Sequence, residues 1–331
     1  MTAAALHPNS QPHPSTPAQA PSAIVKNPLR ELCAASPWLT ATGFVMLADT
    51  AVSLLGLALD PTFITGAPAW LKPLKFAIST GLFAFTVAWM IGKLNKTRRF
   101  AAIFGRFLAV ALTLEIVLID MQAARHTTSH FNYATRFDAG VFGAMGVGIG
   151  VVLVSTVLLL VAACLERFSD RALGWSIRLS LLLALAGMGV GSLMTLPTPE
   201  QLATAHAGVP MHRVGAHTVG APDGGPSLPI TGWSADHGDL RIAHFLGLHA
   251  MQVLLLTWWF APRKRPTAWV VLAAICWAIA FSIVLAQALR GQPLLRPDTA
   301  ILASWVAWLI LTVCGAVSLY FASRNPTQEH A

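Results

Sequence analysis

Apolar runs of about twenty residues recur along the chain, near 39–59, 73–92, 101–124, 139–164, 172–195, 241–260, 267–289 and 299–321. An α-helix rises 1.5 Å per residue, so about twenty residues cross the ~30 Å hydrocarbon core of a bilayer. The pattern predicts an all-α integral membrane protein of eight transmembrane helices. Residues 1–37 are rich in Pro, Ala, Ser and Gln and contain no comparable run, which predicts a disordered cytoplasmic tail. Helices 1–4 then occupy 38–165, helices 5–8 occupy 166–323, and 324–331 form a second cytoplasmic tail. The Pro/Gly-rich stretch 197–240 is too long for a simple connector and predicts a lid.

An internal repeat is superimposed on this pattern. Lys75-Phe76 precedes Trp89 as His244-Phe245 precedes Trp258, at the same spacing, and each run then reaches a basic loop. The next helix of each set ends alike, in Gln122-Ala-Ala-Arg125 and Gln287-Ala-Leu-Arg290, and an Asp follows near the start of the helix after that (Asp138, Asp298). The chain therefore reads as two tandem four-helix units. Four is even, so the copies share one orientation, with an axis along the membrane normal and a site favoured between them.

Composition agrees: 55% of residues are hydrophobic and only 11% charged, with a mean hydropathy of +0.62. A net charge of +8 in such a chain reflects loop anchoring, so nucleic acid is not an expected partner and the lipid bilayer is. With both termini inside a cell inner (plasma) membrane, fourteen of the twenty-two Lys and Arg fall on the cytoplasmic side and eight outside. That arrangement puts Lys93, Lys96, Arg98 and Arg99 together with Arg263, Lys264 and Arg265 on the cytoplasmic side. Cys33, Cys164, Cys276 and Cys314 show no CxxC spacing, so neither a disulfide framework nor a zinc ribbon is implied.

Ionisable groups inside spans are costly and therefore informative. Asp49 lies in helix 1, Glu115 in helix 3 and His249 in helix 6, each about nine or ten residues from the outer end and so ~14 Å deep. Gln122 and His126 share the stripe of Glu115, and His130 joins it if the helix continues. His244, Arg241, Gln252 and His249 form a polar arc on helix 6. Lys75, Gln122, Arg241, Gln252, Gln287 and Arg290 are expected to rim an outward-facing cavity. The glycines of helix 4 (143, 146, 148, 150) and helix 5 (187, 189, 191) are expected to allow close helix packing, and His206, His212 and His217 to decorate the loop.

The stretch Gly215-Ala-His217, Asp223-Gly-Gly, Gly238-Asp-Leu-Arg241 through His244-Phe and Gly247-Leu-His249-Ala-Met-Gln252, with Ser129-His-Phe-Asn132, resembles a group of uncharacterised bacterial multi-pass membrane proteins. The resemblance covers the membrane domain and implies no activity or cofactor.

The residues themselves admit several readings. His126 or His130 with His244 or His249 could ligate haem b noncovalently, since CxxCH is absent. Neutral imidazoles with Glu115 or Asp49 could instead hold a transition metal such as Zn, Fe or Mn. Either makes a redox or metal-dependent membrane enzyme acting on a small or lipophilic ligand, with Glu115, His249 and Asp49 at its centre. A transporter would use Asp49 and Glu115 as protonatable carboxylates with His249 as relay. A structural or partner-binding protein would use Asp49–Lys75 and Glu115–His249 as buried pairs that fix helix register.

Overall fold

The computed structural model of the protein describes residues 27–324, so the predicted tails up to 26 and from 325 lie outside the described residues. Ten helices follow in order: α1 (Pro28–Ala35), α2 (Pro37–Leu59), α3 (Leu71–Gly92), α4 (Arg98–Ala124), α5 (Arg136–Leu165), α6 (Arg171–Met194), α7 (Pro199–His206), α8 (Leu240–Phe260), α9 (Pro266–Leu289) and α10 (Thr299–Arg324). All but the short α1 and α7 are long and apolar enough to cross a membrane. The fold is all-α and multi-pass, as the apolar runs predict.

The helix starts follow from local chemistry. Proline occupies the first turn of α1, α2, α7 and α9, where its missing N–H costs nothing. Thr135, Asp170 and Asp239 cap α5, α6 and α8 by accepting from backbone N–H groups that the helix leaves unpaired. The same chemistry corrects the predicted disordered tail over 28–37. The Asn27 side chain accepts from the backbone N–H of Leu29 at 3.0 Å, and this cap starts α1 ahead of the first span.

Packing repeats between the halves. Within α2–α5 the first helix packs on the second and third, the second on the third, and the third on the fourth; α6, α8, α9 and α10 pack in the same order. The matched Gln/Arg/Asp residues both pin a helical hairpin. Arg125 donates to Asp138 at 2.7 Å while Gln122 Nε2 donates to the same oxygen at 3.0 Å. Arg290 pairs with Asp298, and Gln287 donates to the carbonyls of Pro293 and Leu294 in that turn. Between the halves α5 packs on α6, and α3 meets α8 through Ser79–His249, Thr86–Gln252 and the repeat-matched Trp89 and Trp258, whose rings lie 5.9 Å apart.

One apolar core fills the end of the bundle remote from the 195–239 loop, with Leu39, Ile91, Leu108, Ile177 and Met251 among its fully enclosed side chains. The loop end is different. There Phe131, Met194, Ile242 and Phe281 form a second core under the loop, which leaves room beside them for polar groups. The α6 and α8 backbones approach closely: a Cβ at Gly187 would lie 2.8 Å from the Gly247 Cα, so both positions require glycine. The α5 glycines behave otherwise. A Cβ at Gly143, Gly146, Gly148 or Gly150 would meet nothing within 4 Å, because these residues face away from the described helices. The last helix, α10, packs on α9 and among the described residues buries only Ile301, leaving most of its other Leu, Ile and Val side chains to lipid.

Two short pieces of sheet anchor the loop side. Strands β1 (Phe63–Ile64) and β2 (Ala67–Pro68) pair in a hairpin between α2 and α3. Strands β3 (Thr218–Val219) and β4 (Gly238–Asp239) close the 195–239 loop onto the start of α8.

Candidate functional site

The 195–239 loop is an ordered cover. Gly215 sits at φ +101°, where a Cβ would meet Phe131, and this conformation lets the Ala216 N–H donate to the Met194 carbonyl at 3.0 Å. Residues 213 and 132 form a β-bridge that ties this loop to the α4–α5 connection. In that connection Asn132 Nδ2 donates to Thr127 Oγ1 and the Thr128 carbonyl, both at 3.0 Å, and Asn132 Oδ1 accepts from the Ala134 N–H. This explains the Ser129-His-Phe-Asn132 run: Asn132 locks a turn whose Phe131 takes positive φ and whose His130 points into the bundle.

Beneath the cover lies a cavity of about 360 Å³. Its charged lining is Lys72 and Lys75 of α3, Arg213 and Asp223 of the loop, and Arg241 of α8, with His130, His217 and His237 between them. Two of the four strong cations have carboxylate partners. Arg213 Nη2 donates to Asp223 Oδ2 at 2.8 Å, and Arg241 Nη2 to Asp239 Oδ2 at 2.5 Å. Lys72 and Lys75 have none among the described residues: Lys72 Nζ lies 2.9 Å from His130 Nδ1, and Lys75 Nζ donates to the Thr231 carbonyl at 2.7 Å. Arg213 Nε is buried without a hydrogen bond among the described residues.

Two histidine–carboxylate pairs complete the geometry. His217 Nδ1 lies 2.8 Å from Asp223 Oδ2, and the Asp223 carboxylate also accepts from the backbone N–H groups of His217 and Thr218. Burial pushes the His217 imidazole down to about 4 against the opposing pull of Asp223, so the ring is neutral. Asp223 is buried too, yet its hydrogen bond from His217, with the Thr218 N–H and Arg213, holds it below the usual carboxylate range. The neutral ring donates from Nδ1 to Asp223, which leaves Nε2 as a lone-pair nitrogen with no hydrogen bond among the described residues.

Deeper in the bundle, His130 Nε2 stands 3.5 Å from Glu115 Oε1. His130 is held well below its ordinary range by burial first and by Lys72 second. Lys72 donates to Nδ1, which places the proton of the neutral ring on Nε2, toward Glu115. Both Glu115 oxygens are buried without a hydrogen bond among the described residues.

The sequence-predicted residues are distributed differently from expectation. Lys75 and Arg241 line the cavity, and His130 and Glu115 adjoin each other behind it, although His130 arrives on a loop because α4 ends at Ala124. His249 uses both ring nitrogens elsewhere, on Ser79 Oγ at 3.0 Å and Gln252 Oε1 at 3.1 Å, so the expected Glu115–His249 contact is replaced by Glu115–His130. The Asp49–Lys75 pair does not form either: Asp49 lies against Asp120 of α4, while Lys75 turns to the loop carbonyl. His244 is bound at Nδ1 to the Gly187 carbonyl at 2.8 Å. His126 sits on the surface 3.3 Å from Asp60. Gln122, Gln287 and Arg290 serve the hairpin turns, and Gln252 donates to Thr86, so these four do not rim the cavity. Among the described residues no three His, Cys, Asp or Glu side chains are grouped as a metal site requires.

Sequence reasoning missed Lys72, Arg213, His217 and Asp223. The signal for the last two was present in Gly215-Ala-His217 and Asp223-Gly-Gly, where glycines on either side mark a built turn. No family model matches the chain, and no curated protein or solved structure was found to be similar to it.

Proposed function

We propose that this protein binds a small anionic ligand, one carrying a phosphate or carboxylate, in the cavity under the 195–239 loop. One observation carries the reading: four strong cations converge on one cavity, and two of them, Lys72 and Lys75, lack a carboxylate partner among the described residues. Desolvated cations demand a counter-charge, and a cavity of this kind obtains it from a ligand. The apolar remainder of the lining, from Ile64, Phe76 and Ile119, suits a ligand with a hydrocarbon portion.

The charge split among the loops supports an inner-membrane orientation with both termini in the cytoplasm, so that the cavity opens outward. The haem and metal readings draw less support, because His126, His130, His244 and His249 each have a different partner. A carrier for the same anion is a second reading, favoured by the matched packing of the two halves.

Calorimetric titration of the purified protein with inorganic phosphate and with acetate tests the proposal. Saturable binding of at least one anion, weakened tenfold or more in Lys72→Met/Lys75→Met, is expected. No saturable binding of either anion overturns it. Phosphate flux into protein-containing liposomes would select the carrier.

A further inference from the structure

We infer that the cavity hydrolyses phosphate monoesters through a covalent phosphohistidine at His217. This rests on the anion-binding reading and names its substrate class and chemistry. The charge balance selects the anion. Lys72, Lys75, Arg213 and Arg241 line the cavity with one carboxylate, Asp223, among them, while Asp239 meets Arg241 and Glu115 meets His130 from outside the lining. Four cations around one lining carboxylate suit the dianion and the several oxygens of a phosphate monoester better than the single charge of a carboxylate.

The arrangement of His217 selects the chemistry. Its Nδ1 is committed to Asp223, and its ring lines the cavity with no hydrogen bond at Nε2 among the described residues. A carboxylate on the far nitrogen fixes the tautomer and stabilises the positive charge that the ring acquires on attack. The surrounding cations meet the charge on the equatorial oxygens of a transferring phosphoryl group.

The steps balance without any further reagent than water. In the first, the Nε2 lone pair forms a bond to phosphorus while the ester P–O bond breaks, and the leaving alkoxide takes a proton from the Lys72 ammonium. In the second, water bonds to phosphorus, the N–P bond breaks, and the proton released by water returns to Lys72. Alcohol and inorganic phosphate leave, and neutral His217 is restored.

Oxygen exchange tests this without knowledge of the alcohol, because inorganic phosphate itself forms the phosphoenzyme by losing water. The purified full-length protein is incubated with ¹⁸O-labelled phosphate, and isotope loss is followed by ³¹P NMR. Stepwise loss is expected, reduced at least a hundredfold in His217→Asn at saturating phosphate. Rapid acid-free quenching and mass spectrometry of the wild type should place an alkali-stable phosphoryl group on His217, a readout that does not depend on the variant folding. Phosphatidate in vesicles and glycerol 3-phosphate in solution form two further arms, and the one turned over identifies a lipid or a soluble source. Phosphate binding with no exchange overturns the inference and leaves the anion-binding reading intact. Exchange with the phosphoryl group on another residue also overturns it. Absence of phosphate binding overturns the inference, and absence of acetate binding as well removes the anion-binding reading with it.

Discussion

His217 and Asp223 form a closed pair, with Nδ1 2.8 Å from Oδ2 and the same carboxylate holding Arg213 at 2.8 Å. Burial keeps the imidazole neutral down to about 4 while Asp223 stays ionised. The groups facing the ring are Asp223 and Arg213 from its own loop, Arg241 from α8, Lys72 from α3 and His130 from the α4–α5 connection. A histidine whose folded value is depressed contributes stability that is complete above about 6.5 and is lost as pH falls toward 4. Nitrogen NMR of ¹⁵N-histidine-labelled protein should show His217 with one protonated nitrogen throughout pH 5–8. A titration centred near 6.5 would contradict the pairing.

Removing the carboxylate should cost more than removing an exposed charge. Asp223→Asn leaves the half-buried Arg213 unpaired and weakens a buried acceptor for two backbone N–H groups, an expected loss of about 2 kcal/mol. Thermal unfolding in detergent measures it, and an unchanged midpoint would show that the loop is held without this residue.

The two hairpin pins offer an internal comparison. Asp138 has a side chain only 5% exposed and accepts from Arg125, Gln122 and Thr135, whereas Asp298 is 35% exposed. Asp138→Ala should therefore destabilise by about 3 kcal/mol and Asp298→Ala by about 1 kcal/mol or less. Equal losses would mean that burial does not distinguish the repeat-matched positions.

The glycines divide in the same way. Gly187→Ala drives a methyl group into the Gly247 backbone, so it should part α6 from α8 and cost several kcal/mol, of order 2–4. Gly146→Ala meets open space and should be neutral or stabilising by up to about 1 kcal/mol through helix propensity. Reversal of this order would contradict the α6–α8 contact.

The spans were legible in the sequence because a bilayer imposes one length and one polarity on every crossing helix. The predicted 241–260 and the observed Leu240–Phe260 differ by a single residue. The Gln122/Arg125/Asp138 and Gln287/Arg290/Asp298 matches were also legible, but Gln122, Gln287 and Arg290, expected at a cavity rim, close turns instead. Helical wheels relate residues on one helix and say nothing of a loop that folds back. That is why His130 could be placed near Glu115 only conditionally, and why His249 was assigned a partner that Ser79 and Gln252 pre-empt. Arg213, His217 and Asp223 meet Lys72 through more than 130 residues of intervening chain, brought together by the Asn132–Arg213 bridge and the β3–β4 pairing. No periodicity encodes that contact.

The account stands on an anion held by cations from α3, α8 and the 195–239 loop at once, and a structure with a tetrahedral dianion bound addresses it most directly. Tungstate diffused into crystals of the full-length protein should give one dominant anomalous peak inside the cavity, within reach of Lys72, Lys75, Arg213 and Arg241. The peak should vanish in Lys72→Met/Lys75→Met crystals grown alike. Tungstate confined to the basic loop around Lys93–Arg99, with the cavity holding none, would contradict the central claim.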